Sequence, residues 1–271
     1  MIMSLQFYKY HGAGNDFIII DEMRKKNPES ETLGTEMIAA LCHRKFGIGA
    51  DGLMLLRPHP ENDFRMIYYN SNGLEGSMCG NGGRCLVAFA KYQGYISQET
   101  DFMASDGIHK GIIWKDNGIN SDVSISMQNI EYIKEMDEGL FLDTGSPHLV
   151  RFVENLEHID VFLEGKKIRN SAVFAPGGTN VNFVEVKQNK IHIRTFERGV
   201  ENETLACGTG ITAAAISTHY KKLINNRERY YVNAKGGELA VSFTTADNMY
   251  RNVMLQGPVV RVFKGEIDLQ G

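Results

Sequence analysis

Two stretches decide how this chain is read: MCGNGGRCLVAFAKY at 78–92 and ACGTGITAAAISTHY at 206–220. Each carries Cys-Gly-x-Gly, then a small and apolar run, then a tyrosine thirteen positions after the cysteine, Tyr92 after Cys79 and Tyr220 after Cys207. They are offset by 128 residues in a chain of 271. Similarity at one fixed offset near half the length points to two related halves rather than a many-repeat solenoid. The runs 84–92 and 210–220 are apolar or small nearly all round, the mark of helices buried on every side.

Outward from these helices the pattern is mostly short strands. Phe64, Met66 and Tyr68 alternate with oppositely facing residues, as do Val123, Ile125 and Met127, then Ile191 and Ile193. Turn signals at Asp116-Asn117-Gly118, Gln188-Asn189 and Gly236-Gly237 separate such runs. The segment 36–46 (EMIAALCHRKF) reads as a helix closed by Gly47. The expectation is an α+β fold of two pseudo-symmetric domains, each a curved, mostly antiparallel sheet wrapped around a central buried helix. The exposed polar helix of a parallel βαβ unit is not expected. The domains are placed at 1–130 and 131–257, with a C-terminal strand at 258–271 returning to the first and the active site between them.

Composition narrows the function. Acidic side chains number 33 against 29 basic, a formal net charge of −4, which argues against a nucleic-acid binder working by phosphate neutralisation. The apolar run Leu86–Ala90 is far short of the roughly 20 residues a membrane span needs. The opening MIMSLQFYKY lacks a basic patch followed by an apolar run, so no signal peptide and a cytoplasmic location are expected. Four scattered cysteines make no disulfide framework, and Cys79 and Cys85 have the wrong spacing for zinc, so no metal is expected. Glycine is in excess, 28 residues where about 7% is usual.

The glycines matter because of where they sit. Each Cys-Gly-x-Gly precedes a buried helix, where glycine lets the backbone turn tightly and approach a ligand. The first N–H groups of a helix lack intrahelical partners and favour an anion such as a carboxylate. The same field stabilises a thiolate. Cys42 and Cys85 read as packing residues, whereas Cys79 and Cys207 occupy equivalent places in the two halves. Two such thiols imply a specific reaction: one takes a proton from one face of a carbon while its partner returns one to the other face. That outcome is inversion, by a racemase or epimerase.

The wider motif set resembles one family. KYHGAGNDF (9–17), GIGADG (47–52), YNSNGLEGSMCGNGGRC (69–85), TNVNFVEV (179–186), FERGVENETLACGTG (196–210) and GPV (257–259) follow the order and spacing of diaminopimelate epimerases. By that resemblance Cys79 and Cys207 are the acid/base pair, and His148 and Glu197 help set their protonation. The backbone N–H groups of Gly80, Asn81, Gly208 and Thr209 would hold the carboxylate at the reacting carbon. Arg198 would pair with the distal carboxylate through a two-point fork. Asn15, Asn70, Asn180 and Glu197 would read the remaining polar groups. The resemblance implies diaminopimelate as substrate, no cofactor, a role in lysine and peptidoglycan precursor synthesis, and a homodimer. One departure is Ser146, where the family usually has asparagine before Pro147-His148. GIGADG matches a dinucleotide fingerprint in letters alone, because it follows a helix instead of preceding one. Alternatives at this point are a proline or hydroxyproline racemase of the same fold, a cysteine hydrolase using one thiol with His148, and a binding protein.

Overall fold

The computed structural model describes residues 3–25, 33–224, 228–247 and 249–269. The chain divides into two compact units, Met1–Ile125 with Pro258–Gly271, and Ser126–Gly257. The first unit contains β1 (Met3–Gly12), β2 (Asn15–Asp21), α1 (Thr35–Cys42), β3 (Gly52–Arg57), β4 (Phe64–Asn70), α2 (Gly80–Tyr92), β5 (Glu99–Ala104), β6 (Gly107–Asp116) and β7 (Asn120–Ser126). The second contains β8 (Lys134–Met136), β9 (Gly139–Asp143), β10 (Pro147–Phe152), α3 (Val161–Arg169), β11 (Asn180–Lys187), β12 (Lys190–Glu197), β13 (Asn202–Thr204), α4 (Gly208–Tyr220), β14 (Tyr230–Ala234) and β15 (Gly237–Ala246). The long β16 (Met249–Leu269) gives its first part to the second unit and its last part to the first, where it pairs with β1.

The two units repeat one plan. In the first, β1–β2 is antiparallel, β2–β3 parallel, β3–β4 antiparallel, β4–β5 parallel, and β5–β6 and β6–β7 antiparallel. In the second, β9–β10 is antiparallel, β10–β11 parallel, β11–β12 antiparallel, β12–β14 parallel, and β14–β15 and β15–β16 antiparallel. The mixed α+β architecture in two halves, mostly antiparallel around a central helix, is what the echo in the sequence implied.

The burial of the central helices is as expected, whereas their connections were not foreseen. The central helices are crossovers between parallel neighbours, α2 between β4 and β5 and α4 between β12 and β14. They are nonetheless buried, because each sheet curls round its helix: α2 touches β1, β2, β3, β4 and β6, and α4 touches β9, β10, β11, β12, β14 and β15. The outer helices α1 and α3 are crossovers too, and they lie on the opposite face of the strands. Ile38, Leu41 and Cys42 pack on Ile18, Ile20, Leu53 and Leu55, and Val161 and Ile168 pack on Val181, Phe183 and Phe196. A strand covered on both faces reads as a continuous apolar run, which is the reason Gly52–Arg57 is buried throughout.

Both central helices begin earlier than the apolar runs suggest, at Gly80 and Gly208. Each glycine in a helix costs about 1 kcal/mol against alanine. Burial of Leu86, Val87 and Phe89, all 0% exposed, offsets that at roughly 1.5–3 kcal/mol per side chain. The helix read over 36–46 stops at Cys42. The His43 ring accepts from the backbone N–H groups of Lys45 and Phe46, and a side chain at Gly47 would sit 2.0 Å from the Ala40 carbonyl oxygen. Gly47 therefore closes against the helix end rather than following directly from it.

Candidate active site

Cys79 and Cys207 occupy the same local structure. Each is the N-cap of its central helix, with φ −110° and ψ 118° at Cys79 and φ −110° and ψ 110° at Cys207. Each carbonyl accepts the first helical bond, from Gly83 N–H at 2.7 Å and Ile211 N–H at 2.8 Å. The N–H groups of Gly80, Asn81 and Gly82, and of Gly208, Thr209 and Gly210, thus precede the helical ladder and have no partner within it. All four cysteines are thiols; Cys79 is half-buried, while Cys42, Cys85 and Cys207 are buried.

Around Cys79 the first helical turn is held from inside. Arg84 is fully buried and donates to the Gly80 carbonyl at 3.3 Å and to Asn81 Oδ1 at 2.8 Å. Burial lowers its pKa, while the neighbouring Cys85, Cys79 and Asp122 act in the opposite sense. Because a guanidinium only donates, it fixes the Asn81 amide: Asn81 Nδ2 donates to Asn15 Oδ1 at 3.3 Å, and Asn15 Nδ2 donates to Asp51. Arg44 bridges Asp16 and Asp51 at 2.6 and 2.5 Å, and Lys9 pairs with Asp16 at 2.6 Å. Burial alone would raise the Asp16 pKa, yet hydrogen bonds and charge from Arg44 and Lys9 bring it down to about 2. The first half thus joins Asn15 to Asn81 directly. Asn70 is the exposed last residue of β4, opposite Gly52 of β3, with its N–H on the Leu74 carbonyl at 2.9 Å.

Around Cys207 the hydrogen-bonding partners described are a threonine and a histidine. Its Sγ lies 3.4 Å from Thr209 Oγ1, and Thr209 Oγ1 lies 2.8 Å from His148 Nε2. His148 is 0% exposed; burial, opposed by its hydrogen bond with Asn182 and helped by the positive charge of Arg198, lowers its pKa to about 3 and keeps the ring neutral. Its other nitrogen, Nδ1, lies 3.0 Å from Asn182 Nδ2. Thr144 donates to the Thr209 carbonyl at 2.9 Å, and Thr212 donates to the Gly208 carbonyl at 3.0 Å, the role Arg84 has at Gly80.

Asn180 is committed inside the protein. Its amide donates to Ser146 Oγ and to the Pro147 carbonyl, both at 2.9 Å, and its Oδ1 accepts from Arg198 N–H at 2.8 Å. Ser146 thus stands within this network as an acceptor and keeps its own hydroxyl hydrogen to donate. Arg198 extends from the strand end with Nη1 3.3 Å from the Gly177 carbonyl, and Glu197 Oε2 accepts from Thr204 at 2.8 Å. Sequence reasoning passed over Arg84, Asp51, Asn182 and Thr195. Asn182 carried a usable signal, as a polar residue two positions from Asn180 and flanked by the apolar Val181, Phe183 and Val184.

No group of three or more His, Cys, Asp or Glu side chains among the described residues could hold a metal ion. No helix among them is long and apolar enough to cross a membrane.

Two units, each a curled sheet enclosing one helix, make a fold shared with solved structures. A structure from the PhzF family of phenazine biosynthesis proteins, from Bacillus anthracis, superposes with a TM-score of 0.75 at 14% identity, covering 98% of this chain and 99% of that one. A hydroxyproline epimerase from Agrobacterium vitis superposes with a TM-score of 0.68, also at 14% identity, covering 99% and 93%. These likenesses carry the fold alone. The family model for diaminopimelate epimerase matches residues 7–132 and 140–262. A diaminopimelate epimerase from Flavobacterium psychrophilum is 46% identical over 264 residues, which is 97% of this chain and 100% of that protein. The chain belongs to the diaminopimelate epimerase family, and it is an isomerase.

Proposed function

We propose that this chain interconverts LL- and meso-diaminopimelate by exchange of an α-proton between two thiols, Cys79 and Cys207, without a cofactor. The observation that carries the reading is the matched pair of N-cap cysteines with the same backbone angles in a chain of this family. In the step, one thiolate takes the α-proton as its S–H bond forms, and the C–H electron pair is left on the carbon and its carboxylate. The other thiol delivers its proton to the opposite face and becomes the thiolate. Negative charge developing on the carboxylate is met by the N–H groups of Gly80, Asn81, Gly208 and Thr209. Arg198 serves the distal carboxylate, with Asn15, Asn70 and Glu197 on the remaining polar groups. Asn180 acts by holding the Ser146–Pro147 turn against the Arg198 backbone. His148 acts on Cys207 through Thr209. The reading includes, on family grounds, a place in lysine and peptidoglycan precursor synthesis, a cytoplasmic location and a homodimer.

The test is incubation of the reduced protein with LL-diaminopimelate in D2O with no cofactor added. Deuterium at one α-carbon, accompanied by inversion there, is the expected result. Neither exchange nor inversion would refute the reading.

A further inference from the structure

Under Cys207 runs a line of side chains whose polarity is set by groups that can act in only one sense. Asn182 is 0% exposed. Its Nδ2 lies 3.0 Å from the Leu149 carbonyl oxygen, which can only accept, so the amide nitrogen must be on that side. Its Oδ1 then faces Thr195 Oγ1 at 2.9 Å and accepts from it. The second amide hydrogen points at His148 Nδ1 at 3.0 Å, so that nitrogen accepts and the ring proton resides on Nε2. Nε2–H donates to Thr209 Oγ1, which leaves the threonine hydroxyl hydrogen to be directed at Cys207 Sγ.

The same fold positions in the first unit show that this line is no requirement of the architecture. His148 stands opposite Asn180 in the parallel pair as Phe17 stands opposite Gly52. Two residues further along each strand, Asn182 pairs with Thr195 and Met54 pairs with Tyr68. A side chain at Gly210 would press on Asn182 Oδ1 at 2.5 Å, and one at Gly82 would press on Met54 Sδ at 2.9 Å, so Asn182 and Met54 support their helices at the same point. Phe17 and Met54, both 0% exposed, therefore do with packing what His148 and Asn182 do with hydrogen bonds. A buried polar group costs stability unless it is satisfied, so a polar pair where the other unit has an apolar one calls for a return in function.

We infer that Asn182, itself held by Thr195 and the Leu149 carbonyl, is a positioning residue that locks His148 in the Nε2–H form, so that the Thr209 hydroxyl donates to Cys207 and stabilises its thiolate. The inference deepens the two-thiol reading and rests on it for its role in turnover, but the tautomer and the thiol reactivity can be read without any substrate. His148 is then a fixed donor, not a carrier of protons to and from the site. Charge near it comes from Arg198, which disfavours a protonated ring.

The experiment is nitrogen NMR of 15N-histidine-labelled protein, with the His148 signals assigned by comparison with His148→Gln. The Nε2–H tautomer is expected, and Nδ1–H would overturn the inference. In Asn182→Asp the new carboxylate accepts where an amide donated, so the single His148 ring proton moves to Nδ1, and Nε2 becomes an acceptor that takes the Thr209 hydroxyl hydrogen away from Cys207. Iodoacetamide alkylation, followed site by site by mass spectrometry, should then slow at Cys207 by on the order of tenfold, the scale of a hydrogen bond to a charged group. Cys79 serves as the internal reference and should not change. General loosening would instead speed alkylation at both thiols; that result, or an unchanged tautomer and rate in Asn182→Asp, would overturn the inference. Loss of epimerisation in the wild type with the expected tautomer would count against the function and leave the positioning role standing.

Discussion

Single atoms decide much of the chemistry here. Gly210 and Gly82 are equivalent glycines, yet a methyl group at each meets a different neighbour. At Gly210 it meets an amide oxygen already bonded to Thr195, and at Gly82 the sulfur of an unbranched side chain that can swing aside. Gly210→Ala should therefore reduce kcat/KM by on the order of a hundredfold, through displacement of the groups under Cys207. Gly82→Ala should reduce it by less than about tenfold, and steady-state kinetics of the two variants checks the difference. His148 makes a second prediction. Its folded pKa is about 3 against an ordinary 6.5, so the unfolded chain binds the extra proton first as pH falls. Stability from this residue is complete above about pH 6.5 and is lost as pH drops towards 3, by roughly a few kcal/mol. Urea unfolding across that range should show the slope, and His148→Gln should flatten it.

At the scale of elements, the hairpin between β11 and β12 determines whether the line under Cys207 can form. Lys187 and Lys190 pair across a two-residue turn in which Gln188 has φ 51° and Asn189 has φ 58°. Positive φ at both positions is the type I′ hairpin, whose twist matches the strands. This turn sets the register that puts Asn182 opposite Thr195, and a slip of one residue would send Asn182 to the α3 side. Gln188-Asn189 is an uncommon choice for the two positions. Replacement by Asn-Gly should raise the stability of the second unit by about 0.5–1 kcal/mol with activity unchanged, as read by thermal unfolding and kinetics.

For the molecule as a whole, the proposed reaction demands both thiols from one chain. Cys79→Ala and Cys207→Ala should each lower epimerisation by about 10²–10⁴-fold or more, the range of a lost acid or base. An equimolar mixture of the two variants should recover no activity, and recovery would show that the thiols need not share a chain. The duplication, the two enclosed helices and both N-cap cysteines were legible in the sequence, because Cys-Gly-x-Gly before a small apolar run is a local signal repeated at one offset. The crossover connections were not: a helix wrapped by a curled sheet loses the polar face by which a βαβ helix is ordinarily recognised. Asn15 and Asn81 could be named as polar candidates, but Arg84, which orients Asn81, acts through folding alone. The sequence by itself determined where the two candidate thiols stand, each before a buried helix, since thiols, glycine turns and helix starts are properties of neighbours along the chain. Only the tertiary structure decided how the two halves differ, with Arg84 beneath one helix turn and Thr212 beneath the other, and Phe17, Met54 and Tyr68 answering His148, Asn182 and Thr195. Hydrogen-bond polarity and burial arise when distant strands are brought side by side, and no single stretch of sequence contains them.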